Sequence, residues 1–243
     1  MKKTTFKDDI KNWTDDVALK DKSCGAKFKT DKNFNKHHIK PCVMMTICAP
    51  TGGGKSTLIC DFLARKNEAF YAITIFSGST IDEPLVNMLS KNIEGIIAID
   101  DADELPELSD LNDEDKKHEK LMVFDDIINL PKKQLAKIQR WFNSSRKYGY
   151  TCISTAQNYT DLPIQMRRNT MVFFIGRLND NNTINNILKN HDNGYDKDEI
   201  KRAYWNSTQG KGNFFCIDFT SDDQWRFRHN FLDPIPIHKT FSM

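Results

Sequence analysis

A glycine-rich segment has the residue types and spacing of a phosphate-binding loop. In order, it consists of Ala49, Pro50, Thr51, Gly52, Gly53, Gly54, Lys55, Ser56 and Thr57. Successive glycines let backbone N–H groups turn inward around phosphate oxygens without a clash from Cβ. A helix beginning at Lys55 would also present its positively polarised end to the same charge. The segment matches the pattern GxxxxGK[ST], with Ala49 in place of the first glycine, and predicts nucleotide contacts from residues 51–57.

Two side chains of this loop suit a bound nucleotide and its metal ion. Lys55 can reach the β- and γ-phosphates, and the hydroxyl of Ser56 can ligate Mg²⁺. A magnesium site also needs a carboxylate at the end of a buried neighbouring strand. A second carboxylate beside it can orient or deprotonate the attacking water. The loop therefore predicts an acidic partner elsewhere in the chain.

Two apolar runs end in paired carboxylates and could supply that partner. One leads into Asp100 and Asp101, and the other, residues 121–124, leads into Asp125 and Asp126. The first run continues into an acidic segment, whereas the second is followed by a helix and then by a strand with a polar tip, which is the expected order. We therefore predict Asp125 as the metal ligand and Asp126 as the carboxylate that activates water.

The polar tip is Gln157, just beyond a strand predicted over residues 150–155. Its side-chain amide could contact the γ-phosphate or the attacking water; the alternative is a surface glutamine at a strand end. The order is then phosphate-loop strand, intervening strand, acidic strand and glutamine-tipped strand. A strand between the phosphate-loop strand and the acidic strand is typical of RecA-like ATPases, as opposed to small GTPases and nucleotide kinases.

The elements that must position these residues follow from the apolar pattern. Short continuous apolar runs predict buried strands, at residues 42–49, 69–76, 96–99, 121–124, 150–155 and 171–175. Helical patterns occur at residues 55–65, 83–89, from Pro131 onward, 181–190 and 197–205. Strands that alternate with helices predict an α/β fold of the RecA-like P-loop type, with a mainly parallel sheet and helices on both faces.

The composition is that of a soluble globular protein. The chain has 243 residues, of which 39% are hydrophobic and 28% charged, and its formal net charge is +2. The longest apolar run is shorter than the roughly 18 residues of a membrane span, and the N-terminus lacks the apolar stretch of a secretory signal. Six scattered cysteines without a Cys-x-x-Cys pair favour a reducing compartment. We therefore expect a protein that is neither secreted nor membrane-spanning.

The small net charge is the sum of segments with opposite charge, some strongly basic and one strongly acidic. Residues 1–41 hold eleven lysines and six aspartates and predict a basic N-terminal arm that is not a core element. Residues 42–243 are predicted as a single domain, with an acidic insertion at 100–120 and a C-terminal hairpin at about 213–231. Residues 131–168 hold eight basic side chains and one acid, so this segment could track the phosphates of a nucleic acid.

Three segments together resemble the FtsK–HerA superfamily of P-loop ATPases. They are the loop at residues 49–57, the run LMVFDD at 121–126, and the stretch NSSRKYGYTCISTAQNYTDLPIQMRRNTMVFF at 143–174. Within the superfamily they are most similar to the genome-packaging ATPases of large DNA viruses and virophages, over about residues 42–178. The resemblance implies hydrolysis of ATP with Mg²⁺, coupled to movement of double-stranded DNA through a homo-oligomeric ring. It also implies a capsid protein as partner, and location in a virion or a viral factory in the host cytoplasm.

The resemblance also implies roles for individual residues. Lys55 and Ser56 correspond to nucleotide and Mg²⁺ ligands, Asp125 to the metal ligand and Gln157 to the sensor. Family members usually carry Glu where this chain has Asp126, whose side chain is one methylene shorter, so the water would have to sit closer or be bridged.

Ring ATPases of this kind also need an arginine from the neighbouring subunit, which stabilises charge on the γ-phosphate. Arg146 occupies the matching place before the glutamine-tipped strand, and Arg167 and Arg168 are the alternatives. For each, the plain alternative is a surface arginine that pairs with the acidic insertion.

DNA contact is less sharply indicated. Arg226 and Arg228 would share one face of a strand, which is either a DNA-facing surface or an ordinary amphipathic edge. Nothing resembles a base-reading motif, so any DNA binding should be independent of sequence. The alternatives to a motor are a small-molecule kinase on a P-loop fold and a nucleotide-dependent switch or scaffold.

Overall fold

The strands of this protein form one mixed sheet. A computed structural model describes residues 28, 30–79, 84–111, 118–191 and 194–240. The strands are β1 (Met44–Cys48), β2 (Ile73–Ser77), β3 (Ile97–Ile99), β4 (Lys120–Asp125), β5 (Tyr150–Ala156), β6 (Val172–Ile175), β7 (Phe215–Asp218), β8 (Phe227–His229) and β9 (Asp233–Pro234). They lie in the order β3-β2-β4-β5-β1-β6-β7-β8-β9.

The first six strands in this order are parallel, and β7, β8 and β9 continue the sheet in antiparallel fashion. The helices are α1 (Lys55–Lys66), α2 (Pro84–Asn92), α3 (Lys132–Ser144), α4 (Ile164–Asn169), α5 (Asn181–His191) and α6 (Lys197–Ser207). The predicted α/β class with a mainly parallel sheet is confirmed.

Helices cover both faces of the sheet because successive strand residues point to opposite sides. Met45 on β1 packs into an apolar cluster with Phe62 of α1, whereas the adjacent Met44 packs into a second cluster with Trp141 of α3. A third cluster joins the antiparallel strands to α5 and α6. These strands are therefore buried on both faces, which is why they read as continuous apolar runs.

The end of the predicted arm belongs to the packed structure. Residues 1–27 and 29 lie outside the described residues, but Ile39 is completely buried in the cluster around α1. The ring of His37 packs edge-on against Phe62, with centroids 5.8 Å apart. The expectation that residues 1–41 contribute nothing to the core is thus wrong for this last part, because Phe34, His37 and Ile39 were too sparse to show a pattern.

The acidic insertion is anchored rather than free. Its described part carries the buried side chains Leu105 and Leu108, and the indole N–H of Trp141 donates to the carbonyl oxygen of Pro106 at 2.9 Å. Glu107 lies 3.5 Å from Lys137 and 3.6 Å from Arg140 on α3. The insertion therefore neutralises part of the basic block at 131–168. Residues 112–117 lie outside the described residues.

The predicted C-terminal hairpin is present as β7 and β8, but its arginines do not form a DNA-facing surface. The guanidinium of Arg228 is completely buried and lies 3.0 Å from the carboxylate of Asp218, which is also completely buried. Arg226 is largely covered and lies over the ring of Tyr195. A DNA-facing role for Arg228 is therefore excluded, because the ion pair with Asp218 keeps its guanidinium buried. The alternation of aromatic and basic residues in the sequence does not reveal this burial.

The described helices include none with the length and apolar character needed to cross a bilayer. The cysteines that the structure describes are all free thiols, and Cys24 lies outside the described residues. Burial raises the pKa of Cys48, Cys152 and Cys216 to about 12. These buried thiols are therefore protonated and unreactive at neutral pH.

Candidate functional site

A cavity of about 380 Å³ lies at the carboxyl edge of the parallel strands. Its walls come from the loop between β1 and α1, the end of β4 and the end of β5. The polar residues that line it are Thr51, Gly52, Lys55, Ser56, Asp125, Asp126, Thr155, Gln157 and Asp161. The cavity thus brings together the three sequence segments that were predicted to form one site.

The conformation of the loop requires its glycines. Gly52 and Gly54 have φ angles of 72° and 96°, in the left-handed region that side chains disfavour. A Cβ on Gly53 would lie 2.8 Å from the carbonyl oxygen of Pro50. Gly54 is the N-cap of α1 and has no side chain to cap it, so the first-turn N–H groups are available to an anion.

Lys55 is held against its own loop. Its Nζ donates to the carbonyl oxygens of Ala49 at 2.9 Å and Pro50 at 3.3 Å. Burial lowers the pKa of Lys55, and the nearby carboxylates of Asp125 and Asp126 oppose that shift. The ammonium therefore occupies a partly desolvated position next to the predicted metal site, where a phosphate would stabilise its charge.

The acidic pair ends β4 next to the neighbouring strand β5. The hydroxyl of Thr155 donates to Oδ1 of Asp125 and accepts the backbone N–H of Asp126 at 3.4 Å. Asp126 has a φ of 50°, so the chain turns sharply after Asp125. Gly78, after β2, donates its N–H to the carbonyl oxygen of Asp125 at 2.8 Å. Both acids line the cavity. Thr155 holds the side chain of Asp125 and the backbone N–H of Asp126.

Gln157 follows β5 and lies exposed at the rim of the cavity. A capping box orders the turn behind it: the Asn158 side chain and the backbone N–H of Asn158 both contact the carboxylate of Asp161. Asp161 itself lines the cavity. The sequence reasoning missed Thr155, Asp161 and Gly78, although Thr155 and Gln157 are two residues apart and therefore on one side of an extended chain.

The strand order accounts for the choice between the two acidic segments. β5 lies between β1 and β4, so the glutamine-tipped strand separates the loop from Asp125. The predicted position of the intervening strand is therefore wrong, because β2 pairs with the other side of β4. The other acidic run is the edge strand β3, which is separated from β1 by three strands. Asp101 accepts hydrogen bonds from the backbone of Asp103 and the side chain of Gln134. Asp100 and Asp101 do not line the cavity.

Arg146 lies beyond the amino ends of the parallel strands, opposite the carboxyl ends that carry the cavity. It precedes the seven-residue strand β5, and Gln157 follows it, so the two ends are roughly 20 Å apart. Arg146 and Arg168 line a separate cavity of about 480 Å³ with no acidic residue in its lining. Neither guanidinium has an ion-pair or hydrogen-bond partner in the part of the chain that the structure describes. Arg167 instead lies over the ring of Tyr159, 4.9 Å from its centroid.

A third cavity, of about 590 Å³, also borders the phosphate loop. Thr51 and Gly52 line both this cavity and the one that contains the carboxylates. Its far wall carries Arg177, Gln209 and Lys211. The guanidinium of Arg177 is held by the carbonyl oxygen of Trp205 at 3.1 Å. The loop therefore borders both an acidic cavity and a basic and amide-lined one.

No protein-family model and no curated protein sequence matches the chain. Solved structures do match its fold. The DNA-packaging ATPase B204 from Sulfolobus turreted icosahedral virus matches with a TM-score of 0.53 and 15% identity, over 82% of this chain and 100% of that chain. The genome-packaging NTPase B204 from Sulfolobus turreted icosahedral virus 2, in complex with AMPPCP, gives a TM-score of 0.56 and 14% identity, over 81% and 99%.

The same B204 in complex with ATP-γS gives a TM-score of 0.53 and 12% identity, over 82% of this chain and 100% of that chain. These matches span nearly the whole length of the solved chains, although few residues are identical. What is shared is thus the arrangement of strands and helices. The chain has the α/β P-loop NTPase fold of these viral packaging enzymes.

Proposed function

We propose that this chain is an ATP-hydrolysing motor of the FtsK–HerA type, which translocates double-stranded DNA and packages a viral genome into a preformed capsid. The observation that carries the proposal is the cavity in which Lys55, Ser56, Asp125, Asp126 and Gln157 meet. They come from three separate segments, and each is the residue type that phosphoryl transfer to water requires. The likeness of the fold to genome-packaging NTPases supports it.

The donor set fits a magnesium ion. Ser56 and Asp125 offer a hydroxyl and a carboxylate to the same cavity, and Mg²⁺ prefers such hard oxygen ligands together with phosphate oxygens. When bound, the ion neutralises charge that develops on the phosphates. We assign Ser56 and Asp125 to hold it.

The chain's own residues then divide the remaining tasks. The first-turn N–H groups of α1 bind the phosphates. Nζ of Lys55 joins them by exchanging its hydrogen bonds to the loop carbonyl oxygens for bonds to phosphate oxygens. Asp126 accepts the proton of the attacking water, and the amide of Gln157 orients that water against the γ-phosphate.

The cavity beyond the loop suits the nucleoside. It shares Thr51 and Gly52 with the carboxylate cavity, so one nucleotide can lie across the loop with phosphates on one side and base on the other. Arg177, with its guanidinium stacked 4.2 Å from the ring of Trp205, presents a flat surface there. ATP is the proposed substrate, because solved packaging NTPases of the same fold are in complex with its analogues AMPPCP and ATP-γS.

The lining of the nucleotide cavity supports our proposal of a homo-oligomeric ring. The nucleotide cavity of the described structure is lined by one cation, Lys55, and by no arginine. Arg146 lies on the opposite edge, too far to reach a phosphate in its own subunit. We assign it to the nucleotide of the neighbouring copy, a head-to-tail contact of the kind that closes rings. Arg168 shares its cavity and is the second candidate, whereas Arg167 is occupied with Tyr159.

DNA and a capsid protein are the proposed partners, and the virion or a viral factory in the host cytoplasm is the proposed location. Lys132 and Lys133 are exposed at the start of α3, and the described residues include no ion-pair partner for either. Exposed lysines of this kind would contact DNA phosphates, which are the same for every base sequence. Binding should therefore depend steeply on salt and not on base composition.

The first test measures ATP turnover with and without double-stranded DNA, together with the mass of the assembly. DNA stimulation in a ring-sized species supports the motor, whereas phosphate transfer to a small acceptor supports a kinase. Nucleotide binding without turnover would indicate a switch. Lys55→Ala should abolish turnover, and Lys189→Ala, at an exposed position on α5, should not. Unchanged turnover in Lys55→Ala would refute the site assignment.

The second test addresses the arginine from the neighbouring copy. Arg146→Ala and Lys55→Ala subunits should each be inactive, and an equal mixture should regain activity because about one quarter of random interfaces then contain both residues. Mixing Lys55→Ala with a chain that carries both substitutions is the control, and it should give no rescue. If the first mixture is equally inactive, Arg146 is not the trans-acting residue, and Arg168→Ala takes its place in the same test.

A further inference from the structure

A buried hydroxyl connects the two strands that carry the acidic pair and the sensor. Thr155, the penultimate residue of β5, is only 3% exposed and lines the nucleotide cavity. Its Oγ1 donates to Oδ1 of Asp125 and accepts the backbone N–H of Asp126 at 3.4 Å. One side chain thus contacts both members of the acidic pair.

We propose that Thr155 is a positioning residue that holds the Asp125 carboxylate in the orientation needed for the metal–nucleotide complex. This inference rests on the proposed function. The χ2 torsion of aspartate is broad, so the carboxylate rotates readily unless one oxygen is held.

The position of this hydroxyl distinguishes it from other buried threonines in the sheet. Thr46, on β1, is also completely buried, but its hydroxyl bonds those of Ser154 at 3.0 Å and Thr170 at 2.8 Å. Thr46 thus bonds the other two hydroxyls, and none of these bonds involves the acidic pair. Thr46 therefore provides a control in which an equally buried hydroxyl is lost without any contact to Asp125.

The test compares the affinity for a non-hydrolysable ATP analogue, AMPPCP, in Mg²⁺ and in EDTA, by calorimetry on the full chain. Thr155→Val keeps the shape and removes the hydroxyl. We expect it to bind at least tenfold more weakly in Mg²⁺ and equally well in EDTA, since a hydrogen bond to a charged group is lost. Thr155→Ser should restore the wild-type ratio of the affinities in Mg²⁺ and in EDTA, and Thr46→Val should retain that ratio.

Among folded variants, each other result overturns the inference. If Thr155→Val retains the ratio of the two affinities, or if it weakens binding equally in EDTA, the hydroxyl does not act through the metal ligand. If Thr155→Val does not fold, Thr155→Ala, which also lacks the hydroxyl, gives the same readout. A wild-type chain that binds AMPPCP without any Mg²⁺ effect contradicts the proposed metal site itself, which separates failure of that function from failure of Thr155.

Discussion

Gly78 provides a sensitive test of how closely the acidic pair is packed. It follows β2, and its φ lies outside the left-handed region, so alanine is allowed there by backbone conformation. A Cβ built on Gly78, however, would lie 2.1 Å from the carbonyl oxygen of Asp126 and 2.8 Å from its carbonyl carbon. Contacts closer than 3.0 Å essentially never occur for a real Cβ. The clash is with backbone, which no rotamer change can relieve.

The size of the effect follows from this distance. Relief of the clash requires the Asp126 backbone to move by about 0.9 Å, and the neighbouring carboxylates move with it. A displacement of about 1 Å can cost roughly a hundredfold in rate. That factor corresponds to about 2.7 kcal/mol of transition-state stabilisation. We therefore expect Gly78→Ala to lower kcat for ATP about a hundredfold and to leave nucleotide affinity in EDTA unchanged, because the phosphate loop is not touched.

The assay is steady-state ATP hydrolysis, with urea unfolding of the same preparations to confirm that each variant is folded. Gly95→Ala is the control: its φ is 79°, so alanine is strained, but no atom lies within 4 Å of the added Cβ. It should cost about 1 kcal/mol of stability, the usual cost of a left-handed backbone conformation for an L-residue, and leave kcat unchanged. A folded Gly78→Ala variant with kcat within threefold of wild type would refute the packing argument.

Two further predictions concern stability. The carboxylate of Glu119 accepts hydrogen bonds from the buried ammonium of Lys66 at 2.7 Å and from other donors. Glu119→Ala should therefore lower the free energy of unfolding, measured by urea denaturation, by about 3–5 kcal/mol. A loss below about 1 kcal/mol would contradict this prediction. Burial and the charge of Arg167 lower the pKa of His191, so the unfolded chain binds the proton more strongly. Stability should therefore fall as the pH drops below about 6.5, and His191→Gln should reduce this slope between pH 7.5 and 5.5; an unchanged slope would exclude His191 as its source.

Much of the site could be predicted from the sequence because its chemistry is local. The phosphate loop needs only consecutive glycines, a lysine and a hydroxyl at fixed spacing, and the structure places Gly52, Gly53 and Gly54 in conformations or contacts that exclude side chains. The continuous apolar runs likewise predicted strands buried on both faces. The polar residues just beyond two of these runs, Asp125 and Gln157, therefore reach one edge of the sheet.

The remaining features depend on which segments become neighbours. Strand order placed β5 between the loop and Asp125, and only this pairing brings the Thr155 hydroxyl to the acidic pair. Likewise, the charge alternation around Arg228 gave no sign of the buried Asp218, which lies on the adjacent antiparallel strand.

The sequence by itself determined the phosphate loop, the α/β class and the polar strand ends, since each of these is written in the types and periodicity of adjacent residues. Only the tertiary structure decided which strand separates the loop from Asp125, which basic residues are neutralised and which hydroxyl contacts the Asp125 carboxylate. The physical reason is that hydrogen bonds and ion pairs act over a few ångströms. Their partners here, such as Thr155 and Asp125, are thirty residues apart in the chain and become neighbours only in the folded sheet.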